Sequence, residues 1–310
     1  MRPACPPPEN AAPGTGLLQA ILAAAGGEIA PQHFLGGPRY DGLCWRFHSA
    51  HTGLVLVRLQ PLQSPFAPGA ALAANQHDSY SAGVGRQTGL GGPLALHLAC
   101  STLWSFGVHP LYAVGLGLGP DSLLSDQLPG DAGLSFLSSL PEFLPGARPG
   151  VAVIGRPASG RGGPTPIPSL LHPFGRLLAG DRIILTRPCG LTEAALGGSA
   201  SQQAAACGEL AQSDRVGGLL ACLEDIHAVR SLADGGLEAG LRSLASTGLA
   251  ILCDERRPPS LVDGVGHGAE SAWLIACAPE VATRVLCLLF QQGLTQARVI
   301  ARVGQGSSYA

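Results

Sequence analysis

The chain has no lysine: all 19 of its basic residues are arginine. That excludes a Schiff-base lysine, a lysine general base and a P-loop lysine on a phosphate. Any triphosphate would have to be held by arginine, backbone N–H groups or a metal. Charge of either sign is scarce, at 13% of residues, and the formal net charge is -2. There is thus no basic footprint for nucleic acid. Aromatic residues make up 5% and asparagine occurs only twice, while there are 44 glycines, the composition of a GC-rich genome. No apolar run reaches the length of a membrane span, and Met1 to Pro13 lacks the apolar core of a signal peptide.

The nine cysteines contain no Cys-x-x-Cys pair, and the nine histidines contain no His-x-x-x-His. Single cysteines in apolar contexts, such as Cys222 and Cys277, fit buried thiols in a reducing, cytoplasmic setting rather than a disulfide framework.

What the chain does have is apolar bulk. Apolar residues reach 46% of 310, enough for two domains of ordinary size. Residues 1–14 are expected to be a disordered lead-in. The Pro/Gly-rich stretch 156–168 breaks regular structure and predicts a linker between domains at 15–155 and 169–305. Before it, the patterning predicts helices over 16–25 and 94–106, strands over 54–59, 111–118 and 150–155, and partial helix over 122–144. After it come strands over 183–187, 249–253, 271–278 and 298–303. Helices are predicted over 191–197, 202–210, 214–230, 236–247 and 279–292, the last with Pro279 in its first turn and Gly293 past its end. The fold class is therefore mixed α+β.

Two glycine turns are the candidate chemistry. The first is Asp78 followed by Gly83, Arg86, Thr88, Gly89, Gly91 and Gly92. Glycines let backbone N–H groups approach a phosphate, Arg86 supplies charge, and Asp78 is a ligand for Mg²⁺. The alternative is a plain glycine-rich surface loop. The second is Asp234-Gly235-Gly236 at the start of a helix, where free N–H groups favour an anion. Asp234 could instead simply cap that helix. Gly180-Asp181 reads as structural, with the aspartate fixing the turn before a strand. Glu270-Ser271-Ala272-Trp273 reads as the polar start of a strand with a packed Trp, and 254–259 as a self-paired charged loop.

Taken together, these segments resemble the aminoimidazole ribonucleotide synthetase (PurM-like) superfamily. Gly180 to Gly190 is similar to the Gly-Asp-x-x-Ile-Leu-Thr-x-Pro-x-Gly segment of its selenophosphate synthetase and hydrogenase maturation branches. Ile226 to Leu237 and Thr88 to Gly92 are similar to segments of the formylglycinamidine ribonucleotide synthetase branch. Phe106 to Leu111 resembles the family's Met-Gly-Ala-x-Pro-Leu, and Glu270-Ser271 its segment before the last helix.

The resemblance implies a two-domain architecture, with an N-terminal sheet that pairs with a second copy into a barrel and a C-terminal α/β sandwich. It implies a homodimer, and ATP with Mg²⁺ acting on a small-molecule substrate. The chain also departs from the pattern. The family places an Asn and an Asp on the helix before Met-Gly-Ala-x-Pro, whereas Leu98 to Ser105 carries no acid. The family's His-Asp pair before the Asp-Gly-Gly turn is Arg230-Ser231. Two functions follow as expectations. One is an ATP-dependent synthetase of selenophosphate or formylglycinamidine type with a divergent site and no assigned catalytic residue. The other is a degenerate member acting through a protein partner, like viral tegument proteins that resemble formylglycinamidine synthetase.

Overall fold

The computed structural model describes residues 44–49, 53–61, 91–105, 107–118, 120–123, 134–136, 149–157, 177–211, 223, 225–233, 235–245, 249–253 and 270–306. Two five-stranded sheets carry the fold. The first is built from β1 (Cys44–Ser49), β2 (Gly53–Pro61), β3 (Val108–Leu116), β4 (Ser135–Phe136) and β5 (Gly150–Pro157), in the order β1-β2-β5-β3-β4. Its pairs are antiparallel except β3 with the two-residue β4. The second holds β6 (Arg182–Leu185), β7 (Ile226–Ser231), β8 (Ala250–Cys253), β9 (Trp273–Cys277) and β10 (Arg298–Gly304), in the order β7-β9-β6-β10-β8. All its pairs are antiparallel.

Helix α1 (Gly91–Ser105) is apolar nearly all round, and Leu94, Leu96, Leu98 and Leu103 are all buried although they do not share one stripe. Such a helix has to be covered on several sides. One side, Ala95, Leu96, Ala99, Cys100 and Leu103, packs with Val108, Ala113, Val151 and Val153 of the first sheet. Gly107, at φ 69, ends the helix by donating its N–H to the Trp104 carbonyl at 2.8 Å.

The second sheet is covered on both faces at its centre, and Ile183 to Leu185 of β6 and Trp273 to Cys277 of β9 read as continuous apolar runs for that reason. Ile184, Val229, Ile275 and Cys277 point to one face, covered by α5 (Pro279–Gln291) through Ala282, Val285 and Leu289. Their chain neighbours Ile183, Leu185, Leu274 and Ala276 point to the other, covered by α4 (Gly236–Ala245) through Leu237, Leu241 and Leu244. Gly240 lets α4 come close, since a Cβ there would lie 2.3 Å from Leu232 and 3.1 Å from Leu274. Two short helices, α2 (Leu191–Gly197) and α3 (Ala200–Leu210), complete the described elements; α3 opens with a capping box between Ser199 and Gln202.

The structure corrects three expectations. Ile226–Ser231 overlaps the end of the predicted 214–230 helix but is a strand. Its Ile-His-Ala-Val-Arg-Ser sequence is satisfied by pairing with β9, a long-range contact that local periodicity does not reveal. Of the 122–144 segment only the end of a 3-10 turn (Pro120–Leu123) and 134–136 with the short β4 are described, and the rest of the expected partial helix lies outside the described residues. Strand β1 was not anticipated, and β5 runs through Pro157, two residues into the expected linker. The expected lead-in at 1–14 and helix at 16–25 lie outside the described residues.

Candidate functional site at the seam between α1 and the second sheet

Helix α1 also touches the second sheet, and the contact is polar. Of its polar residues, His97 and Ser101 sit one helical turn apart and share a face, and Thr102 borders it. That face meets residues at the ends of β7 and β9. Two hydrogen-bond chains result. In the first, the Ala233 N–H donates to Ser231 Oγ at 3.3 Å, Ser231 Oγ lies 3.0 Å from Thr102 Oγ1, and Thr102 Oγ1 donates to the Leu98 carbonyl at 3.0 Å. Since the Thr102 proton goes to that carbonyl, Ser231 is the donor to Thr102. In the second, His97 Nε2 lies 2.7 Å from Ser271 Oγ, which donates to Ser101 Oγ at 3.5 Å, and Trp273 Nε1 donates to the same Ser101 oxygen at 3.0 Å. Which of the two donates in the His97–Ser271 pair depends on the ring tautomer.

Thr186 anchors the seam from below, accepting the Trp273 N–H at 2.9 Å. The buried hydroxyls of this seam are therefore paired with one another rather than left for a ligand. Burial, with the Arg187 guanidinium adding to it, pushes the His97 ring down to about 3, so it is neutral at physiological pH.

Beside the seam, Glu270 is 2% exposed and takes the Gly190 N–H at 2.6 Å through Oε1. Gly190 stands at φ 92 and caps α2, a conformation glycine adopts without cost. Burial pushes the Glu270 carboxyl up to about 7, against the pull of the Gly190 and Thr192 N–H groups. Its second oxygen, Oε2, has no hydrogen-bond partner among the described residues.

The Gly180-Asp181 turn is structural, as its sequence suggests. Gly180, at φ 101, donates its N–H to Val303 at 2.8 Å, and Asp181 accepts from the Leu178 N–H at 2.9 Å and from His227 Nδ1 at 2.9 and 3.0 Å. The cysteines next to these groups are inert. Burial first, then a neighbouring carboxylate, pushes both Cys189 and Cys277 up to about 12.

Of the predicted site residues, four lie among the described ones. Gly91 and Gly92 open α1, and Gly92 is buried. Gly235 (φ 94) and Gly236 (φ 69) form a left-handed turn before α4, with the Gly236 N–H donated to the Leu232 carbonyl at 3.2 Å. Leu94 and Leu98 of α1 join Ala195, Leu196, Ala206, Cys207, Leu210 and Ala233 in one apolar cluster, and Ala233 stands two residues before Gly235. Asp78, Gly83, Arg86, Thr88, Gly89 and Asp234 lie outside the described residues. Among the described residues no group of three or more His, Cys, Asp or Glu side chains is arranged to hold a metal ion. The hydroxyl wiring was missed from sequence, where Ser101, Thr102, Ser231 and Ser271 are unremarkable residues scattered over 170 positions.

No protein-family model matches this sequence, and no curated protein matches it. Solved structures do. The hydrogenase maturation protein HypE is similar at a TM-score of 0.51 and 21% identity, over 69% of this chain and 74% of that one. Thiamine-monophosphate kinase from Stenotrophomonas maltophilia K279a is similar at a TM-score of 0.52 and 16% identity, over 82% of this chain and 84% of that one. The chain is thus a mixed α+β protein of the class these structures define. Its fold is the one these solved structures share, carried on a sequence that has diverged far from theirs. No helix among the described residues is long and apolar enough to cross a membrane.

Proposed function

We propose that this PurM-fold chain works as a protein-binding scaffold and has given up ATP-driven chemistry. One observation carries the reading: Thr102 and Ser231 are hydrogen-bonded to each other at 3.0 Å. They belong to the two segments in which the resemblance implies acids. An Mg²⁺ ion keeps most of its waters and needs carboxylate oxygens to hold it. Two hydroxyls that satisfy each other offer it none. The apolar cluster that joins Leu94 and Leu98 of α1 to Ala233, two residues before Gly235, supports the same reading, since it offers a triphosphate no polar partner.

A second reading is favoured by the glycine turn before α4. Two successive left-handed glycines, Gly235 and Gly236, open a ten-residue helix whose first-turn N–H groups are of the kind that hold phosphate, with the Gly236 N–H itself taken by Leu232. On this reading ATP and Mg²⁺ bind with Asp78 as metal ligand, and Gly83, Arg86, Thr88, Gly89, Gly91 and Gly92 cradle the phosphates. Asp234, Gly235 and Gly236 bound the other side, and a small molecule is phosphorylated, as the name of the similar kinase would suggest. Both readings allow a homodimer formed through the first sheet and a cytoplasmic setting.

Calorimetry on the full chain with ATP and Mg²⁺ separates them. The scaffold reading expects no saturable, metal-dependent heat. Such heat, abolished by Asp78→Asn, would establish the nucleotide reading in its place.

A further inference from the structure

We propose that the seam between α1 and the second sheet is an acid-operated latch, with His97 as its sensor: a proton taken up by the His97 ring opens the seam. The inference does not depend on which functional reading holds.

The geometry gives His97 its position. It is the only basic residue on α1, and its Nε2 joins Ser271, 174 residues away, at 2.7 Å. Through Ser271 it reaches Ser101, which also receives the Trp273 indole, so two side chains from β9 and its approach hang on one face of one helix. The charged group acting on the ring is Arg187, at the end of β6, itself 2% exposed and tied to the Leu210 carbonyl. A protonated His97 would put a second positive charge beside it at a half-buried position.

The other ionisable groups on the packed elements are engaged elsewhere. Glu270, next to Ser271, turns its carboxylate to Gly190; Glu193 of α2 acts on Glu270; Glu209 of α3 reaches Gln296 at the exposed surface. Arg230 of β7 is buried and of the same sign as Arg187. Cys100 and Cys207, the thiols of α1 and α3, are buried.

The sign follows from the ring being held below its ordinary value. The closed seam is fully favoured above about pH 6.5, where an exposed His is already neutral. As pH falls from there toward 3, the open form takes up a proton that the closed form refuses. The open-to-closed ratio then rises by about tenfold per pH unit. Trp104 and Trp273 report the opening, since Trp104 packs against the cores of both sheets and Trp273 is 1% exposed.

The test is tryptophan emission of the full chain carrying Trp45→Phe, titrated from pH 7.5 to pH 4. The latch predicts a reversible red shift in that range, and predicts that His97→Gln, which keeps a donor but cannot be charged, removes it or moves it down by more than one pH unit. An unchanged midpoint in His97→Gln, or no shift down to pH 4 in the parent, overturns the proposal. Should His97→Gln fail to fold, histidine-labelled NMR of the parent decides. The His97 ring should titrate together with the tryptophan change; titration near 6.5 with the tryptophans unmoved overturns the latch.

Discussion

The Trp273 indole N–H donates to Ser101 Oγ at 3.0 Å across 172 residues of sequence, and both residues are buried. That bond ties the helix carried on the first sheet to the central strand pair of the second. It makes the relative placement of the two sheets depend on a few neutral hydroxyls.

Removing one partner of a buried pair costs more than removing both, because it strands the other. Ser101→Ala should therefore destabilise the protein by about 1–3 kcal/mol in urea unfolding. Adding Trp273→Phe on top should cost less than Trp273→Phe alone. Strictly additive losses would mean that the two side chains do not act as a pair.

Thr102→Asp puts a carboxylate where Ser231 now meets a hydroxyl. With no metal ion to pair it, a buried charge of this kind costs about 3–5 kcal/mol. The expected outcome is a large drop in thermal midpoint that 10-fold excess Mg²⁺ does not restore. Rescue by Mg²⁺ would reveal a metal site still latent in the seam.

Glu270 gives the opposite pH dependence to His97. Its folded carboxyl sits near 7 instead of near 4.5, so the folded state binds the proton more tightly than the unfolded chain does. The stability this confers is complete at acid pH and is lost as pH rises from 4.5 through 7, by up to about 3 kcal/mol. Glu270→Gln should flatten that part of the stability–pH curve. A variant whose curve still falls over the same range would place the proton elsewhere.

Gly155 sits in β5 where a Cβ would lie 2.7 Å from Val108 and 2.8 Å from the His109 carbonyl. The carbonyl is backbone and cannot swing away. Gly155→Ala should cost about 1–3 kcal/mol by chemical denaturation. A neutral result would show that β3 and β5 separate there without penalty.

Much of the second half was legible in the sequence. Continuous apolar runs such as Ile183 to Leu185 and Leu274 to Cys277 mark strands buried on both faces, and Pro279 and Gly293 bracket α5. Strand β7 was not legible, because what makes Ile226–Ser231 a strand is the β9 edge it pairs with. The seam was hidden for a related reason. Nothing local distinguishes Ser101 or Ser271 from a surface serine, and only the fold brings them onto His97 and Trp273. The sequence did show that Leu98 to Ser105 and Arg230-Ser231 lack acids, and the structure adds that the hydroxyls there bond to each other.

The most direct measurement of the central claim is hydrogen–deuterium exchange of the full chain with and without millimolar ATP and Mg²⁺. A seam already closed by its own hydroxyls predicts unchanged exchange in α1, in β7 and in the turn at Gly235 and Gly236. Nucleotide-dependent protection of Gly91 to Ser105, or of that turn, would contradict it.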